Sequence, residues 1–201
     1  RPSTSPARAA VAARAEASIF VTDEEAKLFC DAAPECAGRV VTIGNGVDGA
    51  YFAPSPDRRS PFGPGERPIV FTGAMDYWPN IDAVSWFARE ALPEIRRSDP
   101  SVRFYVVGMN PDPAVRDLAG DPGVVVTGRV EDIRPYLQHA SVIVAPLRVA
   151  RGIQNKVLEA MAMAKPVVVT MPTAAALSAQ RGVELEVASE PPAFAEKVLA
   201  L

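Results

Sequence analysis

Cysteine and histidine are scarce in this 201-residue chain, which limits the metal and redox chemistry that it can support. Its two cysteines, Cys30 and Cys36, do not form a Cys-x-x-Cys pair, and His139 is the only histidine. We therefore expect neither a disulfide framework nor a metal site. The same cysteine usage favours a reducing compartment, so the sequence predicts a cytoplasmic protein.

Long apolar runs and a strong excess of either charge are also absent. No stretch approaches the roughly 20 apolar residues that a transmembrane helix requires. The formal net charge is −3, from 21 basic and 24 acidic side chains, which gives no reason to expect nucleic acid as a partner. The chain has no GxGxxG motif, no P-loop and no convincing Ser-His-Asp or Cys-His set, so the common NAD, ATP and nucleophilic hydrolase chemistries are not indicated.

Proline is plentiful, with 20 residues, and its densest run extends from Pro54 to Pro68. Neither a helix nor a central strand accommodates such a run, so the sequence predicts a linker or a long surface loop there. Before it we expect a short helix, a strand at Ser18–Thr22, a helix from Asp23 and a strand at Arg39–Ile43.

After the proline-rich segment, short Val- and Ile-rich runs alternate with helical patterns. Such runs are typical of parallel strands buried on both faces, so the predicted fold is a Rossmann-like α/β domain, a parallel sheet with helices on both faces. The predicted strands lie at 69–72, 102–107, 124–127, 141–145 and 166–170. We place this domain at residues 39–201. Residues 1–38 are interpreted as the remnant of a preceding N-terminal domain, because the chain starts at Arg1 without an initiator methionine.

One segment combines several features of an anion site. A strand is followed by Arg148 and Arg151, and Gly152 then begins a predicted helix that continues to residue 162. The free N–H groups at a helix start favour an anion, and Lys156 and Glu159 are neighbours on one helix face. An ammonium and a carboxylate so placed could bind the diphosphate and the ribose of a nucleotide. They could equally form an ordinary surface pair, and the spacing alone leaves both readings open.

The same segment, from Arg151 to Val169, resembles the signature of family 4 glycosyltransferases of the GT-B fold. In that signature a loop ending in Gly is followed by a Lys-x-Leu-Glu-Ala-Met-Ala helix and then by Pro-Val-Val. Other motifs of the family occur in the same order, over about residues 40 to 170; they are Ile43–Asp48, Phe71–Asp82, Phe104–Gly108 and Val126–Ile133. The second of these is similar to the form found in sugar transferases of exopolysaccharide clusters associated with PEP-CTERM/exosortase systems.

The resemblance implies the donor-binding half of a bacterial enzyme that makes polysaccharide by retaining hexosyl transfer. It implies a nucleoside-diphosphate sugar of the UDP or GDP type as donor, a saccharide or lipid-linked acceptor, and no cofactor or essential metal. The catalytic residues, and any peripheral contact with the inner face of the membrane, would belong to an N-terminal domain that precedes residue 39. The chain alone would bind donor weakly and turn nothing over.

The resemblance also implies roles for individual residues. Glu159 would bind the ribose hydroxyls and Lys156 the diphosphate, with help from Arg151. Gly152 and Ile153 would offer backbone near the donor. Arg129 and Val130 would border the nucleobase. Gly73 and Asn45 would line the phosphate side of the crevice. Two departures from the family pattern stand out: Arg151 replaces the first carboxylate of Glu-x7-Glu, and no GRL-x3-KG motif follows Gly73.

Two other functions remain open from the sequence, a GT-B nucleotide-sugar epimerase and a non-catalytic nucleotide-binding domain. Outside the motifs, we expect a structural or surface role for His139, and we expect Arg58 to be solvated. After the first strand, Asp76, Tyr77, Trp78 and Asn80 could face an interdomain cleft and the acceptor. Alternatively Trp78 packs inside the fold while Asn80 or Asp82 caps the following helix, and for Trp78 we favour packing.

Overall fold

The computed structural model describes residues 6–150 and 152–201. It divides into two compact units, and the division falls between Gly46 and Val47. The sequence placed a domain boundary at residue 38, so residues 39–46 lie in the first unit although they were assigned to the larger domain. That the first unit derives from a separate acceptor-binding domain stays a prediction.

The first unit contains two parallel strands with helices around them. Its elements are α1 (Pro6–Arg14), β1 (Ser18–Phe20), α2 (Asp23–Ala32), a 3-10 turn (Pro34–Arg39) and β2 (Val40–Thr42). Helix α2 begins at Asp23, as predicted, but its N-cap is Thr22, whose hydroxyl accepts from the Glu25 N–H at 3.2 Å. The strand predicted from residue 39 exists as β2 and pairs with β1.

The second unit is built on a parallel sheet. Its strands are β3 (Arg67–Thr72), β4 (Val102–Val107), β5 (Val124–Gly128), β6 (Val142–Ala145), β7 (Val167–Val169) and β8 (Glu186–Val187). Among the described residues they form one sheet in the order β5-β4-β3-β6-β7-β8, with every neighbouring pair parallel. This confirms the predicted α/β fold with a parallel sheet flanked by helices.

The helices of this unit lie between successive strands, except for the last helix, which follows β8. They are α3 (Trp78–Trp86), α4 (Leu92–Ser98), α5 (Pro113–Arg116), α6 (Arg134–His139), α7 (Asn155–Ala162), α8 (Met171–Ala175) and α9 (Pro191–Ala200). A π-helical turn at Phe87–Ala91 joins α3 to α4, and Pro93 is the second residue of α4. Proline has no N–H to donate to the carbonyl one turn earlier, so a local change of hydrogen-bond spacing is expected at this position.

Burial explains the Val- and Ile-rich runs in the sequence. Strands β6 and β7 bury every side chain, and β3 and β4 bury all but one each, because helices cover both faces. Aromatic rings fill the space between one helical layer and the sheet: the Phe87 ring lies 4.5 Å from that of Phe104 and 5.8 Å from that of Phe194, centroid to centroid. The second unit therefore has one continuous apolar core.

The proline-rich segment is held against α6. Arg58 donates to Gln138 Oε1 at 2.5 Å, and Gln138 donates to the Ser55 carbonyl at 2.8 Å. His139 Nε2 lies 2.6 Å from the Arg58 carbonyl. The structural role predicted for His139 is confirmed, whereas the prediction that Arg58 is solvated is wrong, because its guanidinium is an anchor for the segment.

The strand order locates the expected ligand crevice. From β3 the chain moves to β4 and β5 on one side, and then crosses to β6 and β7 on the other side. The reversal lies between β3 and β6, and in open α/β sheets ligands bind beyond the carboxyl ends of the strands at such a point.

Candidate functional site

A cavity of about 510 Å³ lies at the carboxyl ends of β3, β4 and β5 and beside α7. This volume is in the range of small-molecule sites, roughly 300–1,000 Å³. The side chains and backbone that line the cavity are Thr72, Gly73, Ala74, Val107, Gly108, Met109, Arg129, Val130, Ile133, Ile153, Asn155, Lys156 and Glu159.

Glycines end the strands on this side, and their pairing explains why. Thr72 pairs with Val107 in the β3–β4 register, so the glycines that follow, Gly73 and Gly108, lie side by side. A Cβ atom on Gly108 would lie 1.6 Å from the Gly73 carbonyl oxygen, which no side chain can tolerate. A Cβ atom on Gly73 would lie 2.7 Å from Asn80 Nδ2. The cavity wall is therefore bare backbone at these two positions.

Lys156 brings a positive charge to the cavity from the first turn of α7. Its Nζ donates to Asn80 Oδ1 at 2.6 Å and lies 4.1 Å from the centroid of the Phe71 ring. Burial of the amine lowers the pKa of Lys156 to about 7, and the carboxylate of Glu159 opposes this shift only in part. The ammonium is thus poorly solvated, and an anionic ligand would stabilise its charge.

Glu159 lies one turn further along α7 and lines the same cavity. Burial raises the pKa of Glu159, while the nearby ammonium of Lys156 lowers it. Among the described residues, Glu159 and Lys156 do not form an ion pair with each other. The carboxylate is therefore open to a ligand, which favours a binding role over the ordinary surface pair that the spacing also allowed.

Asn80 is a site residue whose contact with Lys156 was not predicted from the sequence. Its side chain is buried, its Nδ2 donates to the Ala74 carbonyl at 2.9 Å, and its Oδ1 accepts from Lys156. The expected capping role is wrong for both Asn80 and Asp82, because α3 begins earlier, at Trp78, with no side-chain cap. A buried asparagine close behind a strand's carboxyl end was the available signal, since buried polar groups need partners.

Thr72 contributes a hydroxyl that has no hydrogen-bond partner among the described residues. The residue is buried, its Oγ1 is unsatisfied, and it borders the cavity. A buried hydroxyl without a partner is unfavourable by roughly 1–3 kcal/mol, so a ligand that hydrogen-bonds to it would relieve that penalty. This contribution was not predictable from the sequence, because Thr72 simply ends an apolar strand.

The cavity also brings together most of the other residues predicted from the sequence. Gly73, Arg129, Val130 and Ile153 all line it, with Arg129 exposed and Val130 partly buried against the core. Asn45 belongs to the first unit, and its role stays a prediction.

Two further predicted positions lie between β6 and α7. Helix α7 begins at Asn155 and not at Gly152 as predicted. Gly152 instead lies in the loop before it with φ of 66°, a left-handed conformation that favours glycine. Arg151 lies outside the described residues.

Arg148 was expected to supply positive charge to the site, and it is already engaged elsewhere. Its guanidinium forms a two-point ion pair with Asp82 of α3, with Nε donating to Oδ2 at 3.0 Å. The pair raises the pKa of Arg148, first through the hydrogen bond and then through charge attraction.

Two aromatic residues at the start of α3 are largely exposed to solvent. Tyr77 and Trp78 are 59% and 60% exposed. The expectation that Trp78 packs inside the fold is therefore wrong: Trp78 is the first residue of α3, and most of its surface is exposed. Helices long and apolar enough to cross a bilayer are not found in residues 6–150 and 152–201.

Comparisons with known proteins bear on this geometry. The family model for glycosyl transferases group 1 matches residues 66–201. No curated protein gives a significant sequence match.

Several solved structures share the fold. Anabaena Alr3699/HepE in complex with UDP and glucose superposes with a TM-score of 0.72 at 17% identity, over 96% of this chain and 55% of that one. A glycosyltransferase from Rickettsia africae ESF-5 gives 0.75 at 14% identity, over 98% and 56%. The pneumococcal O-GlcNAc transferase GtfA in complex with UDP and GlcNAc gives 0.71 at 14% identity, over 98% and 40%. The chain thus spans little more than half the length of the first two structures.

Proposed function

The chain belongs to the glycosyl transferases group 1 family, and we propose that its second unit binds the nucleoside-diphosphate sugar donor of a glycosyl transfer reaction. One observation carries this proposal. Lys156 and Glu159 face one cavity at the carboxyl edge of a parallel sheet, and within the described residues they are not paired with each other. A cation and a carboxylate so arranged match the two polar parts of a nucleoside diphosphate.

The ligand groups follow from the chemistry of each wall. The ammonium of Lys156 would bind the diphosphate, and the carboxylate of Glu159 would accept hydrogen bonds from the two ribose hydroxyls. Arg129 and Val130, beyond β5, would border the nucleobase. Gly152 and Ile153 would offer backbone near the donor, and Arg151 would help Lys156 to bind the diphosphate.

The reaction itself would break the bond between the anomeric carbon and the diphosphate and form a bond from that carbon to an acceptor hydroxyl. Negative charge then builds on the departing diphosphate, and a fixed cation stabilises it most strongly where water is excluded. Lys156 is suited to this task. We propose that the transfer proceeds with retention, without a metal or other cofactor, and with acceptor and catalytic groups from a further domain.

The finer assignments rest on the motifs of the sequence and on the neighbours. Alr3699/HepE and GtfA bind UDP, which supports testing a UDP-sugar first. We propose a hexosyl donor, a saccharide or lipid-linked acceptor, and a place in bacterial exopolysaccharide synthesis of the exosortase-associated kind. The reaction would occur in the cytoplasm, at the inner face of the membrane.

The test is calorimetric titration of the 201-residue chain with UDP, GDP and their common sugars. Lys156→Ala and Glu159→Ala should each weaken binding of the preferred nucleotide about tenfold or more, because each removes a charged ligand contact. Glu196→Ala, an exposed position on α9, is the matched control and should bind like wild type. Equal affinity of all four proteins, or no binding by wild type at millimolar ligand, would reject the proposed site.

A further inference from the structure

Helix α3 holds two basic side chains of neighbouring segments, and it holds them in different ways. Asn80, in the first turn, accepts a hydrogen bond from Lys156 at 2.6 Å. Asp82, two residues later, forms a two-point ion pair with Arg148. The cavity lining includes Lys156 but not Arg148 among the described residues. The side chain that borders the cavity is therefore held by a neutral amide, and the other one by a carboxylate.

The difference matters because a carboxylate neutralises the charge that it holds. Asp82 satisfies the guanidinium of Arg148 and leaves little of its field for another anion. An amide oxygen accepts one hydrogen bond from an ammonium but carries no net charge, so the ammonium still attracts a second, anionic partner.

We propose that Asn80 is a positioning residue, which fixes the Lys156 amine at the cavity wall without neutralising it and so reserves its charge for the diphosphate of the donor. This inference rests on the proposed function for the identity of the anion. We call the hydrogen bond between Lys156 and Asn80 the clamp, and its existence is argued from the contacts of the ligand-free chain.

Asn80 is well fixed for this task. Its side chain is 5% exposed, and its Nδ2 donates to the Ala74 carbonyl at 2.9 Å. That bond determines which amide atom faces Lys156, since the nitrogen is already engaged and the oxygen must point at the amine. The packing is close, because the bare backbone of Gly73 leaves no space for a Cβ atom beside Asn80 Nδ2 and Lys156 Nζ.

Few other charges reach the Lys156 amine. Its own helix contributes Glu159, and β3 contributes the Phe71 ring and the neutral Thr72 hydroxyl. Helix α3 contributes the neutral Asn80, and the segment after β5 contributes Arg129 at the cavity lining. In this setting, replacing the Asn80 amide by a carboxylate would be a large electrostatic change with almost no change of shape.

The experiment compares wild type with Asn80→Asp by titrating UDP-glucose, whose diphosphate does not itself titrate, between about pH 6.5 and 9. We expect the affinity of wild type to fall up to about tenfold per pH unit above pH 7, as the amine loses its proton. Asn80→Asp should bind about tenfold more weakly at pH 6.5 and show little dependence on pH, because its ammonium stays charged but paired. Asp82→Asn, the reverse change on the same helix, should keep the wild-type pH slope.

A double-mutant cycle separates positioning from a structural role. Asn80→Ala should weaken UDP-glucose binding about threefold or more in wild type and not at all in a Lys156→Ala background. A wild-type pH slope in Asn80→Asp, or an equal loss from Asn80→Ala in both backgrounds, would overturn the inference.

A ligand-free measurement keeps the clamp testable if the chain does not bind UDP-glucose. The Lys156 ammonium is titrated by NMR in wild type and Asn80→Asp, and we expect the pKa of Lys156 to rise by about one unit or more in the variant. Absence of UDP-glucose binding together with this rise would reject the proposed function and retain the clamp. An unchanged pKa of Lys156 would reject the clamp whatever the ligand.

Discussion

The partly buried amine of Lys156 should make the stability of the second unit depend on pH in a predictable way. Burial lowers the pKa of Lys156 from 10.5 to about 7 in the folded chain. Below pH 7 both the folded and the unfolded chain hold the proton, so the folded chain carries the full desolvation penalty. As the pH rises from 7 towards 10.5 the folded chain loses the proton first, and this penalty disappears.

Lys156→Met tests this reasoning, because it removes the titration while keeping a long apolar side chain. Linkage over pH 6.5 to 9 predicts that wild type gains about 2 kcal/mol of unfolding free energy relative to the variant. The variant also leaves Asn80 Oδ1 without a partner, but that loss does not depend on pH and cancels when the two pH values are compared. The sign of the pH dependence is therefore the informative quantity.

Urea unfolding followed by tryptophan fluorescence measures the effect in the relevant unit, since Trp78 and Trp86 are the only tryptophans and both belong to it. Lys197→Met is the matched control: Lys197 is paired with Glu186 at 2.9 Å, and its pKa is raised. The unfolding free energy of wild type relative to Lys197→Met should not increase as the pH rises. Two outcomes would refute the argument. The difference in unfolding free energy between wild type and Lys156→Met could be equal at pH 6.5 and pH 9, or it could favour wild type more strongly at pH 6.5.

Three further predictions concern the cavity and its surroundings. Gly108→Ala should destabilise the fold by about 3 kcal/mol or more, because its Cβ atom would overlap backbone, whereas Gly120→Ala, with nothing within 4 Å, should stay within about 1 kcal/mol in the same urea assay. Thr72→Val should raise the unfolding free energy by about 1 kcal/mol by removing an unsatisfied buried hydroxyl; a fall of that size would show that the hydroxyl is satisfied. Tyr77→Ala and Trp78→Ala should each change the unfolding free energy by no more than about 0.5 kcal/mol in thermal unfolding, because both side chains are exposed.

The fold was predictable because its dominant signal is local. Val- and Ile-rich runs of about strand length, separated by helical segments, indicate strands buried on both faces wherever they occur. The short strand β8 (Glu186–Val187) and the helix α9 (Pro191–Ala200) were not predicted. Strand β8 has only two residues and no apolar run of its own, so its place in the sheet depends on β7.

The cavity was predictable in part for the same reason. Lys156 and Glu159 lie three residues apart on one helix, and a helix puts such residues on one face. The contributions of Asn80 and Thr72 depend on how β3, α3 and α7 meet in space, and 76 positions separate Asn80 from Lys156 in sequence. The predicted start of α7 at Gly152 is wrong because the positive φ of Gly152 places it in the loop.

The direct contact of Gly108 with the backbone of Gly73 has a consequence for how this protein can change its ligand. A side chain at Gly108 would overlap this backbone, so we expect substitutions there to lower the amount of folded protein and not to change what the cavity accepts. Variation in what the cavity accepts is left to the side chains that do project into it, among them Met109, Arg129 and Ile133. A library for changing the ligand preference of the cavity should therefore randomise these three codons and leave the Gly108 codon untouched.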